Sequence, residues 1–275
     1  MKIGMGQMLV EGGAIARNLD RATAMIRQAA GSGCDVVVLP ECLDLAWTWP
    51  EARTLAQPIP GERSAQLAAA AKRNRIWVVA GLTERDGDKV FNSAVLVSSD
   101  GELMSKHRKI NELAIAHHLY EVGERLAAVP SPFGLLGVTI CADNFPESLV
   151  FGHALGRMGV RVLLSPCAWA VDADHDNLKN PYGDLWLTAY RELAALYGMS
   201  VIGVSCVGWL TGGPWKGRKC IGNSIAVGPG GQVLAMGPYG VDAESLTVVE
   251  VSESAPIARG AGFADTLEER GFADP

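Results

Sequence analysis

Four short apolar runs limit what this chain can fold into. Val36 to Leu39, Ile76 to Leu82, Leu135 to Ile140 and Val160 to Leu164 are rich in aliphatic residues and carry almost no charge. A strand with one wet face alternates polar and apolar residues, whereas a continuous run reads as a strand covered on both faces. The first run follows a segment with helical spacing, in which Leu19, Ala22, Met25, Ile26, Ala29 and Ala30 share a face and Asn18 is placed to cap it. Gly31 and Gly33 end that helix. With the strand-like Lys2 to Val10 before it, this is a β-α-β unit, which calls for parallel pairing. Leu135 to Ile140, a helix to about Arg157 and Val160 to Leu164 repeat the unit.

The rest of the chain fits an α/β fold. Ser64 to Asn74 reads as a helix. Asn92 to Ser98 and Leu103 to His107 read as a hairpin turning at Ser99-Asp100-Gly101. Ser165 to Gly183 reads as a loop, followed by a helix capped by Asp184 with Leu185, Ala189, Leu193 and Leu196 as its apolar face. Trp209 to Arg218 is glycine-rich and is expected near the site. No linker or short repeat divides the chain, so residues 1–251 are expected to form one domain. Residues 252–275 show no strong period and are expected to be a tail, either wrapped over a neighbour at an oligomer contact or mobile.

Composition removes several classes of function. A net charge of −6 without a basic run argues against a nucleic-acid partner. No segment has the length of a membrane span, and no signal peptide precedes the first strand. The six cysteines are dispersed and form no C-x-x-C pair, which argues against zinc and against a disulfide framework and fits a reducing cytoplasm.

Three polar residues fall at the ends of separate strands: Glu41 after Leu39-Pro40, Lys109 after the hairpin, and Cys141 between Val138-Thr139-Ile140 and the helix that Pro146 opens. At such a helix start a thiolate or an oxyanion is favoured. Together the three make a chemical set. Glu41 takes the thiol proton as Cys141 attacks a carbonyl carbon, and Lys109 with the Ala142 backbone N–H meets the oxyanion. Water activated by the same carboxylate then releases the acyl group, and no metal or cofactor enters.

These residues sit in motifs. Leu39-Pro40-Glu41, Arg108-Lys109, and Ile140-Cys141-Ala142-Asp143 with Phe145-Pro146-Glu147 resemble the three motifs of the nitrilase superfamily, the carbon–nitrogen hydrolases. Gln7, Asn18-Leu19, Gly222-Asn223-Ser224 and Pro229-Gly230-Gly231 add to the resemblance, which covers about Met1 to Val251. It implies a four-layer α-β-β-α sandwich, a Glu–Lys–Cys triad in the roles above, and association through the helical face into a homodimer or a larger even-numbered oligomer.

The chain departs from the pattern in two places. Only Asn144 separates Asp143 from Phe145-Pro146-Glu147, one residue fewer than is usual. The usual place of a second glutamate holds Ala116 to His118. Glu112 is the preferred substitute, Glu121 the next, and His117 or His118 would otherwise position substrate. Trp47, Ala142, Asn144, Cys167, Trp169 and Trp209 are the expected pocket residues.

The expected activity is hydrolysis of a linear amide, or of a carbamoyl or ureido group, on a small molecule through a Cys141 thioester. Nitrile hydrolysis is the alternative chemistry. A non-catalytic binding protein that keeps the fold and a Cys–His hydrolase are the alternatives of other kinds. All three triad positions are filled, which weighs against the former, and none of the five histidines is paired with Cys141 by sequence, which weighs against the latter.

Overall fold

A computed structural model describes residues 1–252. The expected tail falls outside them apart from its first residue, and with it the expected oligomer contact.

The first half runs β1 (Lys2–Gln7), α1 (Ile15–Gly31), β2 (Val36–Val38), α2 (Ala52–Leu55), α3 (Glu62–Asn74), β3 (Trp77–Asp86), β4 (Lys89–Val97) and β5 (Leu103–Arg108). The second half runs β6 (Ala128–Ser131), β7 (Gly134–Val138), α4 (Leu149–Arg157), β8 (Val162–Cys167), β9 (Ala170–Val171), α5 (Gly183–Tyr197) and β10 (Ser200–Ser205). It ends with β11 (Val207–Trp209), β12 (Lys219–Ile221), β13 (Ile225–Val227), β14 (Val233–Met236) and β15 (Ser245–Glu250).

One six-stranded sheet has the order β15-β1-β2-β3-β4-β5 and the other β14-β13-β10-β8-β7-β6. At the heart of each the strands are parallel: β1, β2 and β3 in the first, and β7, β8 and β10 in the second. The two sheets lie face to face. Ile3, Met5, Val36, Val38 and Val79 of one meet Leu136, Val138, Leu164, Ile202 and Val204 of the other in a central core. Val37, Val78 and Ala80 point the other way, onto α1 and α3. Leu163, Val201 and Val227 point onto α4 and α5. The unbroken apolar runs are thus explained. Alternate residues of each strand enter different cores, and both cores exclude water. The architecture is a four-layer α-β-β-α sandwich.

Several local expectations are corrected. Asn18 is not the cap of α1 but is buried inside it. Its side chain accepts from Glu11 N–H at 3.0 Å and donates to the carbonyls of Glu11 and Asp44, tying two loops to the helix. Asp184 lies in the first turn of α5, behind Gly183, rather than at the cap. The buried face of α5 is Trp186, Ala189, Tyr190, Leu193, Ala194 and Tyr197, while Leu185 is exposed. The register is rotated because the large rings fill the core better than a leucine stripe. Ser165 to Cys167 continue β8 instead of starting a loop.

Candidate active site

The site lies where β2, β5 and β7 end. Past β2 the chain turns sharply at Glu41-Cys42, with Cys42 in the left-handed region at φ 44°. That turn sits directly on β3: a Cβ on Gly81 would come within 2.5 Å of the Glu41 Cα. Gly81 N–H donates to the Pro40 carbonyl at 3.0 Å, and the Glu41 N–H reaches across to the Cys167 carbonyl at 3.2 Å. Past β5, Lys109 is held by hydrogen bonds with Asn92 and Gly123 backbones. Here too a side chain at the glycine would collide, at 2.1 Å from the Arg108 carbonyl oxygen. Past β7, Cys141 starts a 3-10 turn, Cys141–Asn144, with its own φ at 44°. Non-glycine residues rarely adopt this conformation, and surrounding structure must hold them there.

Asp143 supplies that hold. Its carboxylate accepts from Ile140 N–H at 2.9 Å, from Ile110 N–H at 3.0 Å and from Asn111 N–H at 2.8 Å, and it meets His107 Nε2 at 2.8 Å. Burial pushes its pKa up, but His107 and the N–H donors of Asn111 and Ile140 outweigh burial and hold it below the usual aspartate value. The nucleophile turn and the lysine loop are therefore fastened by one side chain.

Glu41 and Lys109 are both buried and paired, with Nζ 2.7 Å from Oε1. The same oxygen accepts from Asn92 Nδ2 at 2.6 Å. Glu112 is also buried, with Oε2 3.8 Å from Lys109 Nζ, and neither of its oxygens has a hydrogen-bond partner. Burial pushes the Glu112 pKa up to about 7, against the pull of Lys109 and with the help of Glu41. Burial alone would lower the Lys109 pKa. The carboxylates of Glu112 and Glu41, together with Cys141, outweigh it and raise the pKa well above the lysine norm.

The half-buried Cys141 differs from expectation. Its N–H is taken by Ser165 Oγ at 3.1 Å, and its pKa is pushed well above the ordinary thiol value, by burial first, then by a hydrogen bond with Cys167 and by the Glu41 charge; Lys109 opposes these. The turn thus favours a resting thiol over a thiolate.

Glu41, Lys109, Cys141 and Ala142 line one cavity of about 30 Å³. Its remaining wall is mostly aromatic and aliphatic: Trp47, Leu113, Phe145, Tyr182, Trp186 and Trp215, with Ala168 and Ala170 beside them. Trp47 and Ala142 therefore sit where expected, but Asn144, Cys167 and Trp169 lie behind the wall. Asn144 is buried and spans the shortened turn, accepting from Thr139 Oγ1 at 3.1 Å and donating to Ser165 Oγ at 2.9 Å. Cys167 is buried with its sulfur on the Ser165 carbonyl at 3.3 Å. Trp169 is fully buried and stacks on Trp186 with centroids 4.8 Å apart, and Trp186 stacks on Phe145 at 5.0 Å. Trp209 is outside the wall and 46% exposed. Glu121 pairs with Phe91 at the surface, and His117 and His118 are exposed. Of the candidates for the second carboxylate, Glu112 is the one beside Lys109.

Sequence reasoning missed Asn92, Ser165, Tyr182, Trp186 and Trp215. Asn92 is the one with a readable signal: a polar residue in β4, a strand buried from Val90 to Val97 and paired with the β5 that leads to Lys109.

The sequence profile of the carbon-nitrogen hydrolase family matches residues 2–255. The chain belongs to that family. Among its relatives, an omega-amidase NIT2 of Danio rerio is 32% identical over 56% of this chain and 58% of its own length. The chain thus spans little more than half of that relative. A nitrilase of Pyrococcus abyssi is 31% identical over 80% of this chain and 78% of its own length. The crystal structure of a carbon-nitrogen hydrolase from Helicobacter pylori G27 superposes with a TM-score of 0.81 at 23% identity, covering 92% of this chain and 89% of that one. This likeness is one of fold.

Proposed function

We propose that this carbon-nitrogen hydrolase cleaves a linear amide of a small molecule through a thioester on Cys141. The observation that carries the reading is the Glu41–Lys109 pair at 2.7 Å in the cavity that Cys141 lines. Lys109 and Asn92 both hold Oε1 of Glu41, so Oε2 is the oxygen left to move protons. A thiol whose pKa is raised needs a base at the moment of attack, and a fixed carboxylate supplies it.

The steps balance without an outside reactant. Glu41 Oε2 takes the Sγ proton as sulfur bonds to the carbonyl carbon. The oxyanion is met by the Lys109 ammonium and the Ala142 N–H. Glu41 returns the proton to nitrogen, the C–N bond breaks, and ammonia or an amine leaves a thioester. Water then loses a proton to Glu41 and attacks the thioester, and the carboxylic acid departs as the thiol is restored. Glu112 assists by keeping Lys109 charged.

Intact mass after incubation with small amides tests this in wild type, Cys141→Ala and Glu41→Gln. An acyl adduct or turnover in wild type, with none in Cys141→Ala, is expected. Equal product release by Cys141→Ala would remove the thioester.

A further inference from the structure

We infer that the acyl group this site takes is short, uncharged and apolar, and that Trp215 sets its length. The inference rests on the reading of Cys141 as the acyl acceptor and narrows it.

Charge comes first. The wall holds two charged side chains, Glu41 and Lys109, and each already partners the other at 2.7 Å. The next charge inward is the Glu112 carboxylate, 3.8 Å from Lys109. Beside Trp215, Arg218 is committed elsewhere. Its guanidinium lies 4.1 Å from the centre of the Trp215 ring, and its Nε pairs with Asp172 at 2.9 Å. A carboxylate on the acyl chain would therefore enter an aromatic wall with no cation to meet it and two carboxylates behind it. Burying an unpaired charge is strongly unfavourable. A cationic acyl group fares no better, because the Lys109 ammonium already faces this wall, 5.7 Å from the centre of the Trp47 ring. Amides of neutral acids fit this wall. An N-carbamoyl amino acid is excluded where ammonia leaves first, since that step keeps the carboxylate on the acyl side, whereas loss of the amino acid leaves an uncharged carbamoyl thioester.

Size comes second. A cavity of about 30 Å³ has room for roughly two waters. One side is Trp215, whose ring meets that of Trp47 edge-on with centroids 4.9 Å apart. Trp47 is buried and fixed in the core, whereas Trp215 is half-exposed on the irregular loop between β11 and β12. That loop is closed on itself by Leu210 N–H to the Arg218 carbonyl at 2.9 Å and Gly217 N–H to the Leu210 carbonyl at 2.8 Å. Trp215 packs against the core from the solvent side and is carried by that loop rather than by a strand or helix, so its removal enlarges the cavity from outside.

The test is ammonia release from propionamide, from 4-methylpentanamide and from two charged amides of similar length, succinamate and 3-(trimethylammonio)propanamide. Wild type and Trp215→Ala are compared, with Trp215→Leu as a second variant and Cys141→Ala as the blank. Ratios of kcat/KM are read, so the fraction of folded enzyme cancels. In wild type, propionamide is expected to exceed 4-methylpentanamide by at least about tenfold. In both Trp215 variants that ratio is expected to fall at least about tenfold. Succinamate is expected to stay at least about 100-fold below its neutral analogue throughout, as an unpaired buried charge requires. A wild-type preference for either charged amide overturns the inference and leaves the Cys141 hydrolase standing, and so does an unchanged length ratio in both variants. No release from any of the four amides would sink both.

Discussion

Asn92 donates from Nδ2 to Glu41 Oε1 at 2.6 Å, on the same carboxylate oxygen that Lys109 occupies. The amide is itself oriented: Cys42 Sγ donates to Asn92 Oδ1 at 3.3 Å. This gives a structural reason for the second thiol next to Glu41. Asn92→Ala is expected to lower kcat by about 10- to 100-fold with a smaller effect on KM, because a base displaced by an ångström loses about that much. Asn92→Asp, which sets a second carboxylate against Glu41, is expected to be worse. Cys42→Ser keeps the donor and should retain more activity than Cys42→Val. Steady-state kinetics on one amide substrate decides, and equal losses in both Cys42 variants would speak for packing alone.

The raised pKa of Cys141 has a chemical signature. Modification by methyl methanethiosulfonate consumes thiolate without help from a base, so its rate at Cys141 should keep climbing beyond pH 9. Amide hydrolysis, which draws on Glu41, should not follow that rise. Lys109 opposes the upward push on the thiol, so Lys109→Met should slow modification at any fixed pH. A modification rate already level by pH 7 would mean a preformed thiolate.

The layers and the motifs were legible because their signals are local. A strand between two cores is apolar at successive positions, and a residue placed just past its end is fixed by the backbone. Beyond Trp47 and Ala142, the pocket wall was not legible. Trp186, Tyr182 and Trp215 come from α5, the turn before it and a distant loop, and only the folded chain brings them to Cys141. Trp169 follows β8 just as an exposed loop residue would, yet it turns into the core because Trp186 offers it a stacking partner at 4.8 Å. Asn18 misled in a similar way. Its amide bonds loops rather than a helix end, and no spacing rule carries that information. Glu112 was reached from the family pattern, and what decides it over Glu121 is burial.

The pKa of Glu112, pushed up to about 7 by burial, links stability to pH. An unfolded glutamate titrates near ~4.3. Between that value and about 7 the native protein holds more protons at this position than the unfolded chain does. Stability must therefore fall as pH rises through this window. Thermal unfolding of wild type from pH 4.5 to 8 should show the decline, and Glu112→Gln should flatten it. The same variant should lower activity, since Lys109 loses one of the two carboxylates that, with Cys141, outweigh its burial. A decline of the same slope in Glu112→Gln would assign it to another group.

Asp143 and His107 make the connection on which the nucleophile turn depends. Both are buried, at 0% and 4% exposure, with Oδ2 and Nε2 2.8 Å apart. Removing one member of such a pair leaves a buried hydrogen-bonding group without this partner, which typically costs about 1–3 kcal/mol. Asp143→Asn also weakens the acceptance of three backbone N–H groups, so it should cost at least as much as His107→Asn in urea unfolding. The double variant should cost less than the sum, because the second change removes a group already stranded. The acid side follows from the lowered pKa of Asp143: stability that it contributes is present above the unfolded aspartate value, near ~3.9, and is lost as pH falls through the lower folded value. Asp143→Asn should therefore unfold with a weaker dependence on acid than wild type. Additive costs in the double variant would mean that the two side chains stabilise the turn independently, with His107 acting through β5 alone.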